Sequence, residues 1–244
     1  MSSTKSIFVL VHGGHAGAWI WDQVRPHLHL PSLAVDLPGH GRKVGDLSSL
    51  SFAECVRSIR EELPGDARFV LVGHSLGAAV VLALAENLQE QAHHIVIIAG
   101  PVPRPGVSIT GSFPFLMRTA SRVVLFCSGP QFTQSRRMAE RRMLNGVETH
   151  RVQAACARFS AESRALVQEP LNWSGRPPAP CTYIRCLRDR GALSPAFQER
   201  MAANLGSGVR IISLDTCHYA MLERPQQVAS TLNEIAEGSA PQTA

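Results

Sequence analysis

Short apolar runs and longer amphipathic stretches take turns along most of this chain. Ile7-Phe-Val-Leu-Val11 has no polar position at all, which is the pattern of a strand buried on both faces. Similar runs recur at Leu33 to Val35, Phe69 to Val72, Ile95 to Ala99, Thr182 to Leu187 and Val209 to Leu214. Between them the spacing of apolar positions predicts helices over Ala18 to Leu28, Phe52 to Leu63, Leu76 to Leu88, Pro195 to Leu205 and Pro225 to Glu237. Strands that alternate with helices need right-handed crossovers. The expected class is therefore α/β, with a mostly parallel central sheet of about six strands and helices on both faces.

The alternation breaks between Gly100 and about Pro180. This block opens with Pro101, Pro103 and Pro105, and helical patterns follow over Phe113 to Phe126, Arg136 to Leu144 and Glu148 to Val167. Arg176-Pro-Pro-Ala-Pro180 then returns the chain to the sheet. The simplest organisation is a core of residues 1–100 and 181–244 carrying a helical cap at 101–180. Residues 238–244 read as a frayed tail.

Composition narrows the class. A chain of 244 residues that is 45% hydrophobic can bury one sizeable core, so a single domain is expected. The first apolar run is too short for a secretory signal, and no stretch approaches a membrane span, which together predict a soluble cytoplasmic protein with no membrane partner. Cys55, Cys127, Cys156, Cys181, Cys186 and Cys217 follow no framework spacing and read as reduced thiols. Cys181 and Cys186 are five apart on an expected strand, so they face opposite ways and cannot share a metal. The net charge of +5 is arginine-driven, since Lys5 and Lys43 are the only lysines. No basic run interleaved with aromatics points to nucleic acid.

Candidate chemistry centres on Gly73-His74-Ser75-Leu76-Gly77. It follows the run Phe69 to Val72 and precedes the helix-forming Ala78 to Ala85, so the G-x-S-x-G pattern has the strand, turn and helix context of a nucleophile elbow. A serine hydroxyl needs a base. Of the ten histidines only His150 and His218 follow the start of the cap, and His218 comes directly after the last strand, at the carboxyl edge of the sheet where such sites gather. The acid that orients it should leave a strand end nearby. Asp189, two residues beyond Tyr183 to Leu187, fits this better than Asp215, which is only three residues before His218, or Asp36, which precedes the serine. The amide of Leu76 and that of Gly14, in Val11-His-Gly-Gly14, are the expected oxyanion donors. His12 reads as a structural hydrogen-bonder beneath that loop. His15, His74, Phe113, Phe126 and Tyr219 are candidate substrate contacts.

These residues, together with Gly17-Ala-Trp-Ile-Trp21, Tyr183-Ile-Arg with Asp189, and Cys217-His-Tyr-Ala-Met-Leu222 before Pro225, resemble the α/β-hydrolase superfamily. The resemblance is to its small cofactor-free branch of plant methylesterases, hydroxynitrile lyases and bacterial esterase-like proteins. It covers nearly the whole chain except the cap. It implies the α/β-hydrolase fold, the triad Ser75, Asp189 and His218, no metal or other cofactor, and a substrate pocket between cap and sheet. Similar hydroxynitrile lyases carry a lysine just after the catalytic histidine; Tyr219 stands there instead, which argues against cyanohydrin cleavage. The cap is also shorter and richer in arginine than that of the plant methylesterases.

The leading expectation is hydrolysis of a carboxylic ester or related acyl bond through an acyl-serine. An alternative on the same fold is a tailoring enzyme of secondary metabolism that cyclises, decarboxylates or cleaves a polyketide-type substrate with His218 as base. A third is a receptor that binds a small ligand without turnover. The partner is expected to be a small, largely apolar molecule. Nine arginines from Arg118 to Arg164 leave an anionic substrate open, and the sequence does not separate monomer from homodimer.

Overall fold

The computed structural model describes residues 5–191 and 193–238. Its strands are β1 (Ser6–Val11), β2 (Ser32–Val35), β3 (Arg68–His74), β4 (Ala92–Ile98), β5 (Gln131–Phe132), β6 (Glu162–Ser163), β7 (Cys181–Cys186) and β8 (Arg210–Leu214). The α-helices are α1 (Phe52–Arg60), α2 (Gly77–Leu88), α3 (Phe115–Cys127), α4 (Arg136–Met138), α5 (Thr149–Arg158), α6 (Arg164–Gln168), α7 (Pro195–Ala203), α8 (Ala220–Glu223) and α9 (Pro225–Gly238).

Six strands form one sheet in the order β2-β1-β3-β4-β7-β8, and each neighbouring pair is parallel. The apolar runs of the inner strands β1, β3 and β4 follow from burial on both faces, whereas the edge strand β8 is mostly exposed. Along β1, Val9 and Val11 enter the core formed with α1, α2 and α7, while Phe8 and Leu10 enter the core formed with Ile20, Trp21 and α9. The same alternation sends Cys181 into the first core and Cys186 into the second. Among the described residues no helix is long and apolar enough to cross a membrane.

Three expected helices differ. Ala18 to Leu28 forms two 3₁₀ turns, Ala18–Trp21 and Arg25–His27. Pro26 has no N–H to continue a helical ladder, and the Ala18 amide donates to the Asp36 carboxylate at 2.7 Å. Arg136 to Leu144 becomes the single turn α4 followed by a π turn, Ala139–Met143. The long pattern from Glu148 to Val167 divides into α5, the short strand β6 and α6. Ser160 leaves the helical path to bond the backbone of His15, and the Ser163 hydroxyl caps α6 by accepting the Leu166 amide.

The chain leaves β4 for the cap through Ala99 and Gly100, and the Tyr183 hydroxyl on β7 donates to the Gly100 carbonyl at 2.7 Å inside the core. Tyr183→Phe keeps the ring packing but strands that carbonyl without its donor. The expected loss of folding stability is about 1–2 kcal/mol, read as a lower urea midpoint at unchanged slope.

Candidate active site

Strand β3 ends at His74, and the chain turns into α2 within three residues. Ser75 sits at this turn with φ 48°, in the left-handed region that a residue with a side chain rarely occupies. Its amide donates to the Ile98 carbonyl of the neighbouring strand at 3.0 Å, which fixes the turn against the sheet. Two glycines make the turn possible. A methyl group on Gly73 would lie 2.5 Å from the Gly77 carbonyl oxygen, and one on Gly77 would lie 2.4 Å from the carbonyl oxygen of His12.

His218 lies on the loop after β8. That loop is held from beneath, because His74 Nε2 donates to the His218 carbonyl at 3.0 Å and the Cys217 amide donates to Glu223 at 2.6 Å. His218 Nδ1 lies 2.6 Å from Asp189 Oδ2, and both side chains are buried. Asp189 is itself held: Gly191 N–H donates to Oδ1 at 2.8 Å and Gln198 Nε2 donates to Oδ2 at 3.2 Å. The other imidazole nitrogen, Nε2, is buried with no protein partner. Asp215, the competing carboxylate, is 73% exposed and pairs with Arg188 at 3.1 Å, away from the imidazole.

Ser75 and His218 open on one cavity of about 150 Å³, together with Gly14, Leu76 and Gly191. Its remaining wall is mostly apolar and comes largely from the segment 101–180: Pro101, Ile109, Phe113, Phe132, Met143 and Val167, with Leu193 from the core side. Among the described residues, neither the Gly14 nor the Leu76 amide meets an acceptor within the protein. His12 lies beneath this loop. Its Nδ1 donates to the Gly13 carbonyl at 2.8 Å and its Nε2 accepts the Leu37 amide at 3.0 Å, the pattern of a neutral ring. Burial and the neighbouring His40 pull its pKa down to about 4.

Of the expected substrate contacts, His15 and Phe113 line the cavity, and three others need correction. Phe126 is 81% exposed on α3, because that helix turns only Leu125 inward at its end. His74 is fully buried beneath the site, with its ring 4.7 Å from His218; burial first and His218 second hold its pKa well below the ordinary value. Tyr219 is buried as well, packed on His74 and Phe159 with its hydroxyl 3.5 Å from the Gly14 carbonyl oxygen. No arginine is among the described lining residues; Arg158 instead lies over Trp19, and Arg136 pairs with Glu140.

Two residues escaped the sequence reading. Gln198 on α7 binds Asp189, and Glu162 on β6 faces the cavity. Glu162 is one of four glutamates in 101–180, so nothing in the sequence marked it, and nothing in the pattern of α7 marked Gln198.

Residues 8–231 match the model of the alpha/beta hydrolase family. The chain is similar to polyneuridine aldehyde esterase of Rauvolfia serpentina, with 24% identity over 94% of this chain and 95% of that protein. It is similar also to methylesterase 3 of Arabidopsis thaliana, with 26% identity over 95% and 96%. Among solved structures, a pyrethroid hydrolase from Sphingobium faniae JZ-2 shares the fold at a TM-score of 0.82 and 22% identity, covering 99% of this chain and 100% of that one. With a parallel six-stranded sheet, a serine at the β3 to α2 elbow and a family match across most of its length, this chain belongs to the alpha/beta hydrolase family.

Proposed function

We propose that the protein is a carboxylic ester hydrolase working through an acyl-serine intermediate. The observation that carries this reading is the opening of Ser75, at its left-handed elbow, and of the buried His218–Asp189 pair onto the same small apolar cavity. The esterase names of the relatives from Rauvolfia serpentina and Arabidopsis thaliana point the same way.

Ser75 Oγ adds to the acyl carbon while its proton passes to His218 Nε2, the nitrogen left without a protein partner. Asp189 accepts from Nδ1, which keeps Nε2 as the basic nitrogen and stabilises the imidazolium that forms. The Leu76 and Gly14 amides receive the oxyanion. His218 returns the proton to the departing alkoxide, which leaves as the alcohol. Water, deprotonated by His218, then attacks the acyl-serine and releases the acid with Ser75 restored. The alternative of base catalysis without an acyl-serine makes no use of the elbow.

Ser75→Ala is expected to lower ester turnover by several orders of magnitude with the fold intact. A fluorophosphonate probe should label the wild-type protein and not the variant. Full activity in Ser75→Ala would remove the acyl-enzyme and favour the base-only reaction.

Asp189→Asn leaves the imidazole in the wrong tautomer, so kcat should fall by about three to four orders of magnitude. Asp215→Asn, at an exposed ion pair, should stay within about threefold of wild type. Steady-state kinetics of the two variants decide the assignment, and reversed effects would transfer the role to Asp215.

The cavity is small against the usual ligand pocket, so a short acyl chain fits it best. Across p-nitrophenyl esters, kcat/KM should peak at acetate to butyrate and drop by about tenfold or more by decanoate. A maximum at decanoate would mean that the cap seats its substrate elsewhere.

A further inference from the structure

Glu162 has no part in the steps above, yet it stands at the site. It is 1% exposed, it comes from cap strand β6, and it shares the cavity wall with Gly14, His15, Ser75 and His218. Its Oε1 accepts the Ser163 amide at 2.6 Å. Its Oε2 accepts the His15 amide at 3.3 Å and lies 3.3 Å from His40 Nε2. A methyl group on Gly14 would be 2.9 Å from that same oxygen.

A carboxylate here creates an electrostatic conflict. Negative charge so near the amide that receives an oxyanion would raise the energy of the intermediate, strongly so in a site shielded from water. His40 is placed to remove it. Its Nδ1 faces the Pro38 carbonyl oxygen at 3.2 Å while Nε2 faces the carboxylate. With Glu162 ionised neither oxygen can donate, so only an imidazolium, with a proton on both nitrogens, suits both neighbours. The Nε2 contact is too bent for a good hydrogen bond, and charge attraction is what holds it. Of the other groups facing His40, the Asp36 carboxylate adds a smaller attraction that favours the charged ring. His12, at a ring distance of 5.3 Å, is held neutral, and Asp36 is occupied by the Ala18 and Arg42 amides. Burial, the largest single influence, would lower the pKa of His40 and raise that of Glu162; their mutual contact, helped by Pro38 and Asp36 at His40 and by Ser163 and His15 at Glu162, moves both the other way.

The pair also acts on geometry. His15 adopts φ 63°, and three bonds from the cap hold it there: Ser160 N–H to its carbonyl at 2.8 Å, its own Nδ1 to the Ser160 carbonyl at 3.0 Å, and its amide to Glu162. The peptide immediately after the Gly14 donor is thereby pinned from the cap side, with the Tyr219 hydroxyl at its carbonyl end. We propose that His40 and Glu162 form a charge-neutral pair that serves the reaction, Glu162 as the positioning residue for the Gly14 loop and His40 as the counter-ion that lets a carboxylate stand beside an oxyanion. This rests on the acyl-serine reading of the same site.

The test uses His40→Gln, Glu162→Gln and the double variant, with p-nitrophenyl acetate turnover and the rate of Ser75 labelling by a fluorophosphonate. Glu162→Gln discards the charge and keeps one acceptor oxygen where the carboxylate offers two, for the His15 and Ser163 amides, so its own rate is the reference for the double variant. His40→Gln leaves the carboxylate uncompensated, and kcat and labelling rate should fall by about thirtyfold or more with KM little changed. Adding Glu162→Gln to it should restore both to within about threefold of Glu162→Gln alone. A double variant no better than His40→Gln, or a His40→Gln variant as fast as wild type, overturns the proposal. The charge state is read separately, by ¹⁵N NMR of histidine-labelled protein at pH 7. His40 should appear as the imidazolium in wild type and lose that state in Glu162→Gln. A neutral His40 in wild type overturns the pair, whereas a wild type that neither labels nor hydrolyses while His40 is charged counts against the acyl-serine reading instead.

Discussion

The left-handed backbone at Ser75 is the constraint on which the rest of the site depends. A side chain in that region is costly, and it persists where the surrounding structure leaves no other path. Here α2 approaches β3 at Gly73 and the end of β1 at Gly77 so closely that neither glycine can carry a side chain, and the Ser75 amide is tied to β4. Because the turn is fixed to the middle of a sheet buried on both faces, the serine cannot drift when substrate arrives. The same crossing forces Gly100 against α2, where a methyl group would lie 2.2 Å from the Ala78 side chain, so the exit to the cap is also set by the elbow.

Around that fixed point the polar groups form a chain of support. Asp189 holds His218, Gln198 and Gly191 hold Asp189, and His74 supports the His218 backbone from below. Two buried ring nitrogens in this chain have no hydrogen-bond partner, Nδ1 of His74 and Nε2 of His218. His74 itself is a ring at the centre of this packing, touching both His218 and Tyr219. Its position inside the pentapeptide suggests contact with substrate, but its burial gives it a structural task.

The cap contributes in two different ways. Its apolar side chains, Phe113, Phe132 and Val167, shape the cavity, while residues 160–162 are stitched to the loop after β1 by hydrogen bonds and to the loop after β2 by the Glu162–His40 ion pair. A segment attached at the loop that carries Gly14 ties the wall of the pocket to the backbone beside Ser75. The arginines take no part in the described wall; several are spent on Trp19, Asp22, Glu140 and Glu148 at the surface.

The order of the elements, the parallel sheet and the elbow at Ser75 were legible in the residues alone, because each depends on local pattern. Uninterrupted apolar runs mean strands buried on both faces, and a G-x-S-x-G between a strand and a helix allows few conformations. Sequence order favoured Asp189 over Asp215 as the partner of His218, and the fold places Asp215 at the solvent and Asp189 2.6 Å from the imidazole. The cap was least legible. Its amphipathic periodicity is the same whether an apolar face meets the core, a cavity or water, so Phe113 and Phe126 look alike in sequence and end up on opposite sides. Glu162 and His40 lie 122 positions apart, and neither has a neighbour that announces the other. Local sequence sets which backbone shapes are affordable, whereas a contact between distant buried charges exists only once the chain has closed around them.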